Sequence, residues 1–400
     1  MARGRIAVAW MLVAALVGVS GCGAADGVSA PSMTSVAPAL PEFRLCGFWY
    51  AIGRTPTDSE IDSLGPRMSV VVLNPWEMDA KARLRKVNPQ IRVLMYKDLA
   101  STRNYPGTVD DGADARLLPS GVGYMQAQRH HPQWFATDTV GQRIEWGQFS
   151  RHWQMAVWDP TYQRAWTNAV TAEAVRDNWD GVLADNDLTR LGVYYRGIFA
   201  GRDSVADSDA MLRDGLDRLV TMAGNSLAAQ GKIFVPNIAD SVPGDARWER
   251  HDRFGGGLDE FYANVVDPAT FRYLRAHQIT NDGGSPDRPY TLLMTQARDT
   301  DMRTTGFAMA SLFSTPHTCW SWANPGDYKS TPDTDLLDTP LGAPRGGPVQ
   351  GADGIWQRTF MHGWVAVNPT DGPLRVTPPP GVEGGPQTLG ARRAVVLTRG

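Results

Sequence analysis

The sequence predicts an α/β protein: a (β/α)8 TIM barrel followed by a small C-terminal antiparallel β domain. Three observations lead there. Short β-branched, apolar runs alternate with helical stretches over roughly 280 residues, near the ~250 residues usual for such a barrel. Those runs are apolar almost throughout, as strands of a parallel sheet buried on both faces are. From Thr339 onward, short alternating runs stand among dense Pro and Gly instead.

The strands are expected at residues 45–52, 68–74, 91–98, 181–187, 232–239, 257–264, 290–297 and 317–323. Helices are expected at 58–64, 77–87, 160–178, 207–230, 268–277 and 302–313, with Pro160 opening one and Gly231 ending another. A long segment from Leu99 to Asp159, rich in Gly, His and Trp, follows the third strand. A doubly wound open sheet is the alternative. No GxGxxG follows the first strand, which weakens its commonest nucleotide-binding form. In the tail, residues 354–360, 364–368 and 394–398 alternate like strands, and Met361-His362-Gly363 reads as a hairpin turn. A tail of roughly 60 residues is marginal alone, so it should pack on the barrel.

The N-terminal residues bear on location. Arg3 and Arg5 precede an uncharged apolar run from Ile6 to Val19. That run is short for a spanning helix, which needs about 20 apolar residues, and fits a signal peptide. It ends in Val19-Ser20-Gly21-Cys22, the form of a bacterial lipobox, with an ordinary signal peptide as the alternative. The expected organisation is a lipoprotein signal peptide over 1–22, a flexible Ala/Ser/Pro/Gly tether over 23–42, a barrel over 43–338 and a β domain over 339–400. The protein is then exported and held at the outer face of the membrane by lipidated Cys22. Its 39 basic and 42 acidic residues form no basic stripe, which gives nucleic-acid binding no electrostatic support. Cys46 and Cys319 lack metal-ligand spacing. In a barrel the first and eighth strands adjoin, so these two should lie close together, either bonded or as buried thiols.

Function in a TIM barrel collects where strands end. The polar strand-end residues here are Asn74, with Trp76 just beyond, Tyr96, Lys97 and Asp98, Asp185 and Asp187, Asn237, and Glu260. Trp320 and Trp322 fall on the eighth strand. Leu183 and Asp185 share one face of their strand, Val182 and Ala184 the other. An aspartate turned toward the helices would be buried without a partner, so Asp185 should face the mouth. Its other reading is a turn cap. Glu260 shares a face with Leu258 and is preferred to Asp259 as the inward acid. Acids on two strand ends fit glycoside hydrolysis, where one protonates the leaving oxygen and the other attacks the anomeric carbon or activates water. Lys97 or an arginine is expected to keep Asp185 ionised, and Asp98 to bind hydroxyls or tune the pair. The 14 tryptophans suit sugar faces, although core packing is the ordinary role of any one of them. His130, His131 and His152 lack zinc-site spacing, and no cofactor or metal is expected.

With those residues placed, the chain resembles hypothetical glycosyl hydrolase family 15, a family of TIM-barrel glycoside hydrolases, from about Phe43 to the C-terminus. The resemblance is carried by His131-Pro132-Gln133-Trp134-Phe135, Gly141, Trp158-Asp159-Pro160 and the run Trp179 to Asn186 (WDGVLADN). In the tail it is carried by Pro340 to Pro344 (PLGAP), Arg358-Thr359-Phe360 and Gly363 to Pro369 (GWVAVNP). It implies a barrel with a C-terminal β domain that acts on carbohydrate. By similarity to wider barrel families it implies Asp185 as nucleophile and Glu260 as acid/base.

The function expected is a lipid-anchored glycoside hydrolase cleaving polysaccharide or glycoconjugate at the cell envelope. Two alternatives stand: a non-catalytic carbohydrate-binding lipoprotein, and a sugar transferase in which Asp185 and Asp187, a DxD pair, hold a metal. Oligomeric state is not set by the sequence.

Overall fold

Alternation along each strand builds the barrel. In β1 (Arg44–Phe48), β2 (Met68–Leu73), β3 (Arg92–Asp98) and β4 (Gly181–Asp185), one set of side chains meets at the axis: Cys46, Phe48, Val70, Val72, Leu94 and Leu183. In β5 (Ile233–Pro236), β6 (Gly256–Asp259), β7 (Tyr290–Gln296) and β8 (Thr318–Ala323) the same set continues with Val235, Leu258, Leu292, Met294 and Cys319. The intervening residues pack outward under helices. All pairings are parallel, in the order β6-β7-β8-β1-β2-β3-β4-β5. The ring closes where Phe234 bridges Gly255 and Asn237 bridges Leu258. The computed structural model describes residues 44–192, 194–238, 246–264, 266–280, 290–325 and 341–399. The expected signal peptide with Cys22, the tether 23–42 and the domain boundary at 338/339 lie outside these residues.

The helices are α1 (Asp58–Leu64), α2 (Met78–Val87), α3 (Pro160–Arg176), α4 (Val205–Ala228), α5 (Arg247–His251), α6 (Pro268–Thr280) and α7 (Thr300–Leu312). Their starts follow side-chain caps. Thr57 and Glu60 form a reciprocal capping box on α1, and Ser204 and Asp299 cap α4 and α7. Asp159 accepts from the Thr161 and Tyr162 amides while Pro160 takes the first helical position of α3. The Trp158-Asp159-Pro160 motif is thus a helix start. In the run from Trp179 to Asn186, Asp180 accepts the Val93 amide at 2.8 Å. A Cβ on Gly181 would lie 2.1 Å from the Ile233 carbonyl oxygen, so only glycine lets β4 and β5 approach this closely.

Cys46 and Cys319 form a disulfide inside the barrel, with 5.2 Å between their α-carbons. It welds the first strand to the last across 273 residues of sequence. In the chain-entropy picture a closure of that length stabilises by on the order of 5 kcal/mol.

The tail forms an antiparallel sheet of β9 (Val349–Gln350), β10 (Trp356–Thr359), β11 (Gly363–Asn368) and β14 (Arg393–Thr398). A separate pair joins β12 (Leu374–Val376) to β13 (Gln387–Leu389). Val365, Val367 and Phe360 share a core with Phe307 of α7 and with Phe313. Arg358 donates to the carbonyl oxygens of Ser311, Leu312 and Ser314 at 3.0–3.2 Å, satisfying the open end of α7. The Arg358-Thr359-Phe360 motif therefore fastens the tail to the barrel.

Several boundaries differ from expectation. The fourth strand ends at Asp185, not 187, because Asn186 takes a left-handed φ of 66°. The sixth ends at Asp259 and turns at once. The long third loop carries local structure that its sequence did not announce: an antiparallel pair, Ser101–Arg103 with His152–Gln154, and a helix at Tyr124–His130.

Candidate active site

One further step along the inward-facing set of seven strands reaches the mouth. The residues there are Tyr50, Asn74, Tyr96, Asp185, Asn237, Glu260 and Gln296, and all line one cavity of about 460 Å³. The same alternation that fills the barrel with Val and Leu thus places a polar ring above it. Loops complete the wall with Arg103, Phe149, His152 and Tyr194.

Two acids meet across this cavity. The Asn237 amide nitrogen donates to Asp185 Oδ1 at 3.0 Å and to Glu260 Oε2 at 2.5 Å. Those two carboxylate oxygens therefore lie at most about 5.5 Å apart, short of the ~6.5–9.5 Å of inverting glycosidase pairs and compatible with the ~5–5.5 Å of retaining ones. Asn237 can hold both because β5 runs between β4 and β6.

Asp185 is densely bonded. Its Oδ1 also accepts the Asn186 amide at 2.8 Å, and its Oδ2 accepts the Tyr96 hydroxyl at 2.7 Å. Burial, followed by the charge on Asp98, raises its pKa above the ordinary aspartate value, and the bonds from Asn237, Tyr96 and Asn186 oppose that rise. Arg103 stands behind Tyr96, donating to the Tyr96 hydroxyl at 2.9 Å and to Asp98 Oδ2 at 3.1 Å. The Tyr96 oxygen thus takes a bond from a cation and gives its own proton to Asp185.

Not every strand-end residue reaches the cavity. Lys97 does not serve Asp185. It faces the helix layer, fully buried, and pairs with Glu173 of α3 at 2.8 Å, with burial lowering its pKa. The cation near Asp185 is Arg103. Asp98 is buried behind the wall, where it accepts from the Ala100 and Ser101 amides, the Ser101 hydroxyl and Arg103. Trp320 and Trp322 are on the outward set of β8. Trp320 donates to Thr295 Oγ1 at 3.0 Å, and Trp322 lies under Arg303. They are core, not sugar platforms. Trp76 is half exposed on the β2 loop outside the cavity lining.

Asp187 touches the cavity, yet its carboxylate is fully engaged. Arg247 bonds Oδ1, and His251 Nδ1 bonds Oδ2 at 2.5 Å. Asp217 bonds the far side of both partners, at 2.5 Å to Arg247 and 3.1 Å to His251. Burial alone would raise Asp187, but Arg247 and His251 outweigh it and hold it low. Both oxygens of this carboxylate are turned to the buried Arg247 and His251, which counts against the DxD reading. Among the described residues no cluster of His, Cys, Asp and Glu is placed to hold a metal ion. Asp259, the rejected neighbour of Glu260, lies off the cavity, bonded to the Phe261 amide at 3.1 Å, and burial pushes its pKa to about 7.

Tyr50 and Gln296 were legible by the strand-end rule that found Asn74 and Asn237. Arg103, Phe149, His152 and Tyr194 come from loops with no periodicity, and sequence reasoning missed them.

A closed parallel barrel with two acids over the C-terminal ends of its strands belongs to the class of TIM-barrel enzymes, whose chemistry sits at that face. The chain belongs to hypothetical glycosyl hydrolase family 15, whose family model matches residues 85–364. That family is described as one of glycosyl hydrolases. No curated protein matches it. Among solved structures, it is similar to α-L-fucosidase isoenzyme 2 from Paenibacillus thiaminolyticus, at 11% identity and a TM-score of 0.44. That match covers 72% of this chain and 47% of the fucosidase, so the chain spans about half of that enzyme's length. The glycoside hydrolase domain of PelA from Pseudomonas aeruginosa matches at 12% identity and TM-score 0.43, covering 72% and 98% of the two chains. A noncanonic maltogenic α-amylase from Thermotoga neapolitana matches at 10% and 0.47, covering 89% and 98%.

Proposed function

We propose that the protein hydrolyses a glycosidic bond in a polysaccharide or glycoconjugate of the cell envelope with retention of configuration. Asp185 is the nucleophile and Glu260 the acid/base. The observation that supports this reading is the Asn237 amide shared between the two carboxylates, which holds them closer together than the acids of an inverting pair.

Glu260 gives its proton to the glycosidic oxygen as Asp185 Oδ2 or Oδ1 attacks the anomeric carbon. The C–O bond to the leaving sugar breaks, and a glycosyl ester forms on Asp185. Glu260, now a carboxylate, takes a proton from water. The resulting hydroxide attacks the same carbon, and Asp185 leaves as carboxylate. Tyr96 and Asn237 hold Asp185 in position and stabilise its charged form before attack and after release. In this proposal the lipobox at Cys22 supplies the location, tethering the barrel outside the membrane.

The test is a panel of purified envelope glycans incubated with the protein, read by new reducing ends and by NMR of the first anomer released. Retained configuration is expected. Inverted product would discard the nucleophile role of Asp185. No new reducing ends on any glycan that the protein binds would favour the carbohydrate-binding alternative.

A further inference from the structure

Three tryptophan or phenylalanine side chains stand about half exposed among the described residues: Trp76, Phe149 and Phe261, each at 47%. All three belong to loops that leave the C-terminal ends of strands, those after β2, β3 and β6. The other described Trp and Phe rings are wholly or largely covered. Apolar rings exposed on one face alone, around a polar cavity, are a binding feature rather than a packing residue left over.

Their placement has a direction. In a ring of eight strands β2 and β6 lie on opposite sides, so Trp76 and Phe261 flank the mouth from opposite rims. Phe149 and Phe261 also line the cavity itself. Phe261 directly follows Glu260. Phe149 is held on the other side by a braced aromatic block. It packs edge-on to Trp146 and Tyr194, whose rings stack at 4.0 Å. Tyr194 in turn donates to Asn186 Oδ1 at 2.9 Å, and the Asn186 amide donates to Asp185. One ring is thus built onto the Glu260 side of the site and another onto the Asp185 side.

We infer that these rings are sugar platforms on both sides of the bond to be cut, and that the substrate is a glycan polymer cleaved within its chain. This inference rests on the hydrolase reading above. The acid protonates the departing oxygen, so the ring beside Glu260 carries the departing part of the chain. Phe149 carries the part that Asp185 attacks, with Trp76 at the far rim extending that track. Flat rings suit the C–H faces of pyranoses and tolerate many sugars, which fits a surface for successive units.

The test measures binding and cleavage separately. Asp185→Asn protein, which holds a glycan without cutting it, is titrated with oligosaccharides of α- and β-linked hexoses and hexosamines, from disaccharide to octasaccharide. Affinity should rise with length. Phe149→Ala and Phe261→Ala, each in that background, should weaken octasaccharide binding roughly three- to tenfold and disaccharide binding much less. The wild type should shorten a polymer through internal fragments before small sugars accumulate. Binding independent of length, binding unchanged in both ring variants, absence of binding across the series, or release of single sugars from one end would each overturn the inference. Length-dependent, ring-dependent binding by a protein that cleaves nothing would uphold the platforms and reject the hydrolase reading.

Discussion

The Tyr96 hydroxyl donates to Asp185 Oδ2 at 2.7 Å while accepting from Arg103 at 2.9 Å, so a guanidinium acts on the Asp185 carboxylate through a phenol. Burial raises the pKa of Asp185 and the Tyr96 bond opposes it. Removing the bond must raise the pKa further. Tyr96→Phe is expected to lower kcat about tenfold to a hundredfold, the worth of a hydrogen bond to a charged group. It should also move the acid limb of the pH–rate profile to higher pH. A kcat loss with an unmoved limb would show that Tyr96 acts by packing alone.

Glu260→Gln keeps the shape and removes the proton. Turnover of natural glycans should fall by about 10²–10⁴-fold. Aryl glycosides with strongly acidic leaving groups need little protonation and should keep much of the first-step rate, so that a glycosyl-enzyme accumulates and is seen by intact mass. Equal losses on both substrate types would remove Glu260 from the acid role.

The quartet of buried Asp187, Arg247 and His251 with partly exposed Asp217 ties the loop after β4 to α5 and α4. Burial would lower the His251 pKa, but Asp187 and Asp217 reverse that and raise it. A raised histidine stabilises the fold fully below its unfolded pKa of about 6.5, and that contribution is lost as pH rises through the higher folded value. Asp217 is lowered to about 2. Its contribution is present above about 3.9 and fades as pH falls toward the folded value. Stability from the quartet should therefore be greatest between these limits. His251→Gln should cost roughly 3–5 kcal/mol near pH 5 and progressively less at alkaline pH, measured by denaturant unfolding. A cost that does not vary with pH would mean that His251 is neutral in the folded protein.

Arg358→Ala uncovers three carbonyl groups at the end of α7. It should lower stability by about 2 kcal/mol in thermal unfolding while leaving kcat/KM unchanged, because Arg358 is not part of the cavity lining. A fall in kcat/KM without a fall in Tm would assign the tail a part in substrate handling.

If Cys22 is acylated, membrane-extracted protein carries a diacyl or triacyl N-terminal cysteine by mass spectrometry, and Cys22→Ala protein leaves the membrane fraction. Unchanged recovery of the variant in membranes would reject the anchor.

The barrel was legible because its physics is local. Short, β-branched apolar runs such as MSVVVL and YTLLMTQ fit strands covered on both faces, and period two carries the inward set from Leu183 to Asp185 and from Leu258 to Glu260. The same rule, applied to β8, would have turned Trp320 and Trp322 outward with the register set by Cys319, and applied to β3 would have turned Lys97 away from Tyr96. Those choices failed because residue type was weighed above alternation. Arg103 and Phe149 were not legible at all. They reach the site through the pairing of Ser101–Arg103 with His152–Gln154, a contact across about fifty residues of loop that no period records.

The bond between Cys46 and Cys319 has a mechanical consequence. The chain enters the barrel at Arg44, so any pull applied through the residues before it falls first on β1. In a parallel sheet a strand loaded at its end resists by shear along its hydrogen bonds, and β1 is only five residues long. Two residues into that strand, the sulfur bridge passes the load to β8. Tension on a tethered copy would then be carried by a covalent bond and shared by the strands on both sides of the seam. The strand at which the barrel begins is the one that cannot be peeled away alone.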